Sequence, residues 1–172
     1  MTRPLVLISV AAANMVVLAG ATPVVFTDVT EPAGIRFTHT TGAFGAKYMP
    51  ETFGSGVLWL DVDGDGWQDI LFVNATAWPE RDAAATHALL YRNNGDGSFT
   101  DVTQAAGIDL AYGEHGGNSR ASRPGLGLIG ADFNSDGLID LFVANDLMVD
   151  QLWLNRGDLR FQDQATLWGC NV

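Results

Sequence analysis

Short apolar segments alternate with polar turns along most of this chain, and their lengths favour β-strands over helices. The runs at 57–60 and 70–73 are typical, because they are short, apolar and rich in β-branched or aromatic side chains. Clusters of Asp, Asn and Gly lie between such runs and are typical of turns. The pattern therefore predicts an all-β chain.

The predicted strands fall into two units of the same order. In the first unit they lie near 57–60, 70–73, 89–92 and 98–102, with an Asn-Gly-Asp-Gly turn between the last two. The second unit runs from about 126 to 164 with a shorter middle connection, so 75–88 is interpreted as a loop insertion. Four antiparallel strands per unit are typical of a β-propeller blade, and the chain is predicted to hold about two blades of an incomplete propeller.

Each unit carries an acidic loop between its first two strands. The loops are DVDGDGWQD, from Asp61 to Asp69, and DFNSDGLID, from Asp132 to Asp140. Oxygen-bearing side chains at positions 1, 3, 5 and 9, with Gly at position 6, allow a short loop to surround one cation. Because all these donors are hard oxygens, calcium is favoured over zinc or copper. Position 12 is Phe72 or Val143 instead of the Glu of an EF-hand, and a strand follows instead of a helix.

Two further sequence motifs are also repeated along the chain. FTDVTEPAGI at 26–35 returns as FTDVTQAAGI at 99–108, and LYRNNG at 90–95 returns as LWLNRG at 152–157. Together with the loops, these phrases resemble the FG-GAP/VCBS-type repeats of the cartilage acidic protein family, whose members often end in an ASPIC/UnbV domain. The resemblance covers about 26–169 and implies a secreted or surface-exposed β-propeller with calcium in its blade loops.

Carried over position by position, the resemblance implies two calcium sites. The side-chain ligands would be Asp61, Asp63, Asp65 and Asp69 in the first loop, and Asp132, Asn134, Asp136 and Asp140 in the second. The backbone carbonyls of Trp67 and Leu138 would fill position 7. Asn134 replaces a carboxylate, so weaker binding is expected at the second loop.

The first 21 residues are predicted to be a secretory signal peptide, because Arg3 precedes an apolar stretch that ends in Ala-Gly-Ala. An uncleaved membrane anchor is the alternative. Within the repeat region, 22–172, we expect a closing strand at about 24–30 and blades at about 54–110 and 125–169. Since two blades cannot close a propeller, the chain is interpreted as the N-terminal fragment of a longer protein, with assembly of short chains into a ring as the other possibility.

The composition limits the classes of partner that the protein is expected to bind. The formal net charge is -11, and the absence of a basic patch argues against nucleic acid. After signal cleavage no stable membrane insertion is expected, and the protein is predicted to be secreted, periplasmic or held at the cell surface. Cys170, the single cysteine, is either a free thiol or the partner of a cysteine beyond residue 172.

The leading hypothesis is a non-enzymatic one. It is an exported calcium-binding propeller module for extracellular binding or adhesion, with an extracellular protein or glycan as partner. The alternative is the propeller portion of a secreted polysaccharide-acting enzyme, or an accessory domain of a hydrolase. No catalytic residue is assigned, since His39, His87 and His115 form no HxxxH or HExxH spacing. Trp59 and Trp153 fall in predicted strands and are expected to pack between blades.

Overall fold

The structure is a computed structural model. It describes residues 23–41, 43, 45, 47, 49–52, 54, 56–74, 88–108, 125–145 and 150–170. The predicted signal peptide lies outside these residues, as do His87 and His115.

The described strands form two four-stranded antiparallel sheets, each with its strands in chain order. The first sheet contains β1 (Val57–Leu60), β2 (Asp69–Phe72), β3 (Leu89–Asn93) and β4 (Phe99–Asp101). The second contains β5 (Gly125–Ala131), β6 (Asp140–Asn145), β7 (Gln151–Asn155) and β8 (Phe161–Asp163). A 3-10 turn, Met49–Thr52, is the only helical element in the described part of the chain. The strands lie within a residue or two of their predicted positions, so the all-β prediction with four-stranded antiparallel blades is confirmed.

One hydrophobic core joins the two sheets. Leu71 and Leu90 from the first sheet and Leu141 and Trp153 from the second are almost completely buried in the same cluster. The central strands supply these residues because both of their faces are covered, whereas β1 alternates between exposed and buried positions. The predicted packing of Trp153 between blades therefore agrees with the structure.

The sheets approach most closely where β1 meets β5. A Cβ added at Gly130 would lie 3.2 Å from Leu60 Cδ1 and 3.4 Å from Leu58 Cδ2, so the bare backbone of Gly130 is what lets β1 lie so near. Trp59 differs from its prediction, because it points away from this contact. Its side chain is 57% exposed and meets the edge of the Phe99 ring at a centroid distance of 6.2 Å.

Each repeated FTDVT motif is followed by a turn, and this turn forms a hydrogen bond with the last strand of the sheet that comes next in the chain. After β4 the chain turns through 102–108, and the carbonyl of Ala106 accepts a hydrogen bond of 2.8 Å from Phe161 N at the start of β8. In the same way, Ala33 O accepts a 2.8 Å bond from Phe99 N at the start of β4. Residues 23–29 have no assigned strand and Phe26 is 93% exposed, so the closing strand stays a prediction.

Candidate metal centre

The first acidic loop gathers three carboxylates at one point. It connects β1 to β2, and oxygens of Asp61, Asp63 and Asp65 all lie within 4.8 Å of one another. Asp61 holds the loop in this shape, since its carboxylate accepts hydrogen bonds from the N–H groups of Gly64, Asp65 and Gly66 at 2.8, 3.1 and 2.9 Å. Three partly exposed carboxylates on a tight oxygen-lined loop fit a hard divalent cation such as calcium.

The second loop has the same backbone organisation with one carboxylate fewer. Asp132 accepts N–H bonds from Asp136 and Gly137 at 3.0 and 2.8 Å. Asn134 donates from Nδ2 to Asp136 Oδ2 at 2.8 Å, so the amide offsets part of the negative charge within the loop. Its Oδ1 faces the loop backbone and accepts the Asp136 N–H at 2.9 Å. The donors remain oxygen atoms, which is compatible with calcium.

The position-9 aspartates lie at the base of the loops, outside the three-carboxylate group. Asp69 and Asp140 are completely buried. Asp69 accepts N–H bonds from Val62 at 2.9 Å and Asn93 at 2.8 Å, one at each oxygen. Asp140 accepts the equivalent bonds from Phe133 and Asn155. Each side chain therefore ties the start of its loop to the third strand of its sheet.

Burial raises the pKa of Asp69, and the nearby charges of Asp63 and Asp65 raise it further. The N–H groups of Asn93 and Val62 act in the opposite direction without cancelling the effect of burial. Ionised Asp69 thus lies close to two other carboxylates in a desolvated position. A cation in the loop would relieve this repulsion.

At position 7 of each loop, the backbone N–H donates a hydrogen bond to the aspartate at position 5. Trp67 N donates to Asp65 Oδ1 and Leu138 N donates to Asp136 Oδ1, each at 2.9 Å. These bonds fix the turn at the same point in both loops. The roles of the Trp67 and Leu138 carbonyls as ligands, like the ligand sets as a whole, stay predictions.

Sequence reasoning missed Arg92, which reaches the first loop from β3. Its Nε donates to Asp63 Oδ2 at 2.6 Å and its Nη2 to Asp65 Oδ2 at 2.9 Å. The hydrogen bond that Arg92 donates to Asp63 and the proximity of both carboxylates raise the pKa of Arg92, so the guanidinium stays charged. The available signal was the register of the sheet, because β3 pairs antiparallel with β2 and so its last residues lie beside the loop.

It also missed Asn155, which links the second sheet to the first loop. Asn155 is 1% exposed and donates from Nδ2 to Val62 O at 3.0 Å and to Ile139 O at 3.1 Å. Its counterpart Asn93 donates to Gln68 O within its own sheet. The repeated Asn of LYRNNG and LWLNRG was the sequence signal for this pair.

Comparison with known proteins identifies the repeat. Residues 61–121 match the model of the FG-GAP-like repeat family. Over this segment the chain is similar to FG-GAP-like repeats. The matched segment begins at the first aspartate of the first acidic loop and includes β2, β3 and β4, so the family match and the candidate site coincide. FG-GAP-like repeats are propeller blades, in agreement with the four-stranded sheets.

Two relatives support the same assignment. The chain is 36% identical over 81 residues to cartilage acidic protein 1 of Xenopus tropicalis and 35% identical over 81 residues to that of Homo sapiens. Each alignment covers 45% of this chain and 11% of the relative. The predicted resemblance to FG-GAP repeats and cartilage acidic proteins is confirmed.

The other candidate features in the described residues indicate no further binding site. Cys170 is half-buried and forms no disulfide with any described residue. Over the described ranges, the acidic group in the first loop is the only cluster of three or more His, Cys, Asp or Glu residues close enough to share a metal ion. No helix in the described part of the chain has the length and apolar character needed to cross a bilayer.

Proposed function

We propose that this FG-GAP-like chain is an exported calcium-binding propeller module that serves extracellular binding or adhesion. The observation that carries the proposal is the convergence of Asp61, Asp63 and Asp65 within 4.8 Å on one loop. The repetition of that loop's hydrogen bonds at Asp132 and Asp136 supports a second site. All donors are oxygens, which is the ligand chemistry of calcium.

In this proposal calcium is structural. The loop ties β1 to β2, and Asp69 ties the loop to β3, so a cation in the loop stabilises three strands of the blade together. Without a cation, neighbouring carboxylates repel one another and the buried Asp69 is poorly solvated. Calcium would therefore raise the free energy of unfolding.

The sequence and the aligned relatives both support the extracellular assignment. The sequence predicts a signal peptide at 1–21, the net charge is strongly negative, and millimolar calcium outside cells fills even weak sites. The aligned relatives are named cartilage acidic proteins, which fits an acidic chain. The partner we propose is an extracellular protein or glycan.

We also propose that the two blades belong to a larger propeller. On the first blade, Leu58 is partly buried and Val62 is 3% exposed, and both pack into the core shared with the second blade. The residues in the same repeat positions of the second blade are Ile129 and Phe133, which are 50% and 37% exposed. This repeated apolar edge suits the packing of a further blade of the same type.

Calcium titration tests the function directly. Thermal unfolding of the chain is followed in calcium and in EGTA, and calcium stoichiometry is measured by isothermal titration calorimetry. We expect two calcium ions per chain and a higher unfolding midpoint with calcium. Asp65→Ala and Asp136→Ala should each remove one ion.

Asp158→Asn is the matched control. Asp158 is an exposed aspartate outside both loops with φ of 50°, a conformation that Asn tolerates, so this variant should keep both ions. An unfolding midpoint that is identical in calcium and EGTA would contradict calcium binding. Loss of an ion in Asp158→Asn would contradict the assignment of the loops.

A further inference from the structure

Arg92 places a permanent positive charge against the carboxylates of the first loop. The side chain extends from β3 and contacts Asp63 at 2.6 Å and Asp65 at 2.9 Å. The two carboxylates are only 14% and 27% exposed, so water screens the pair incompletely. Arg92 therefore offsets the same charges that a cation in the loop would offset.

The two repeats of the chain provide an internal comparison. The position of Arg92 in LYRNNG is occupied by Leu154 in LWLNRG, and Leu154 is 3% exposed in an apolar cluster. The position of Asp63 is occupied by Asn134. The carboxylate and the guanidinium are thus present together in the first repeat and absent together in the second.

These two differences between the repeats give the two loops and their surroundings the same net charge. The first loop has one carboxylate more than the second, and Arg92 supplies one compensating positive charge. Ligand charge is a main determinant of calcium affinity in such loops. The extra carboxylate, from which the sequence predicts tighter binding at the first loop, is therefore neutralised by a residue outside the loop.

We propose that Arg92 sets the calcium affinity of the first loop. It keeps the Asp63 and Asp65 carboxylates together when calcium is absent, and it weakens calcium binding by leaving a positive charge beside the ion. This inference rests on the proposed calcium function. It assigns Arg92 a regulatory role at a site in which Arg92 is not a ligand.

The test measures calcium affinity and calcium-free stability in the same variants. The measurements use chains that carry Asp136→Ala, which disables the second loop. In this background Arg92→Leu should raise the calcium affinity of the first loop roughly tenfold. This is the effect expected in water from removing one positive charge about 5 Å from a divalent cation. In EGTA, Arg92→Leu should lower the unfolding midpoint, because the loop carboxylates lose their counter-charge. A structural role alone would lower stability without raising affinity.

Arg156→Leu is the matched control. Arg156 is exposed and its guanidinium donates to Gln162 instead of a loop carboxylate, so the variant loses the same charge without losing an ion pair at a loop. We expect its calcium affinity to stay within about twofold of the parent, since water and salt screen an exposed charge. Arg92→Gln, which keeps polar contacts without charge, provides the same measurement if Arg92→Leu does not fold.

The outcomes separate the two proposals. If the parent chain binds calcium and neither Arg92→Leu nor Arg92→Gln binds it more tightly than the parent, the role of Arg92 is overturned while the calcium function stands. An equal gain in Arg156→Leu would also overturn it, because the effect would then be one of net charge. If the unmutated chain binds no calcium, both proposals fail.

Discussion

Asn155 donates a hydrogen bond from its Nδ2 to the carbonyl oxygen of Val62, and so joins the third strand of the second sheet to the first acidic loop. The same nitrogen reaches Ile139 O in its own sheet. Asn155 is almost completely buried, and its bond to Val62 O forms away from water. The two sheets are therefore linked by a polar contact at the loops as well as by the apolar core.

Asn155→Ala should destabilise the chain more than Asn93→Ala. The first change removes the side-chain donor of the Val62 and Ile139 carbonyls, at a cost of about 2–4 kcal/mol, whereas the second removes the exposed bond to Gln68 O and costs about 1 kcal/mol. Both changes also remove the acceptor for the N–H two residues later, so that loss is common to the two variants. Urea denaturation of both variants checks this difference. Equal losses would show that the contact with Val62 contributes nothing.

The pH dependence of the calcium-free chain should report on Asp69. Its folded-state pKa is raised, above all by burial, so Asp69 contributes most stability below its unfolded pKa and loses this contribution as pH rises through the folded value. The stability advantage of the native chain over Asp69→Asn should therefore shrink as pH rises above about 4, the ordinary pKa of an aspartate. This difference is measured from the unfolding free energies of the two chains in calcium-free buffers at several pH values. Asp158→Asn is the exposed control. An advantage that grows with pH would contradict the sign.

Gly107→Ala should cost more stability than Gly66→Ala. Both residues have positive φ, of 76° and 89°, so each change strains the backbone by about 1–2 kcal/mol. At Gly107 the new Cβ would also lie 3.1 Å from the backbone oxygen of Phe161, whereas at Gly66 it would meet open space. Thermal unfolding in EGTA compares the two without an effect of calcium. A larger loss at Gly66 would argue against a fastening role for the turn at 102–108.

Tyr91→Phe should loosen the segment that precedes the first sheet. The Tyr91 hydroxyl accepts a 3.1 Å hydrogen bond from Arg36 N, and its ring meets Phe72 edge-on. Phenylalanine keeps the ring contact and removes the acceptor, so the expected loss is about 1 kcal/mol. Faster amide hydrogen exchange at 36–40, with unchanged exchange in β7, would confirm a local effect.

The strands and the spacing of the acidic loops could be predicted because each depends on local sequence. Apolar runs of four or five residues, loop glycines and duplicated phrases are visible without knowing what lies nearby in space. The exposure of Trp59 could not be predicted, since a strand pattern does not show which face another sheet covers. In the sequence Asp69 resembles the other loop carboxylates, and the two N–H groups that bind it come from separate parts of the chain.

Arg92 and Asn155 were missed for a related reason. Each acts on a loop from a strand that is distant in sequence, so the contact depends on sheet register and on the packing of one blade against another. The repeats nevertheless contained the information. Asn occurs at both equivalent positions, and the change from Arg92 to Leu154 accompanies the change from Asp63 to Asn134.

The turns that end each FTDVT phrase have a mechanical consequence. Because Ala33 O holds the start of β4 and Ala106 O holds the start of β8, the outermost strand of each sheet is fastened by chain that precedes that sheet. Tension applied along the chain would load these hydrogen bonds in series, and release of one turn would leave the outer strand held only by its neighbour in the sheet. Blades connected in this way would yield one after another under force.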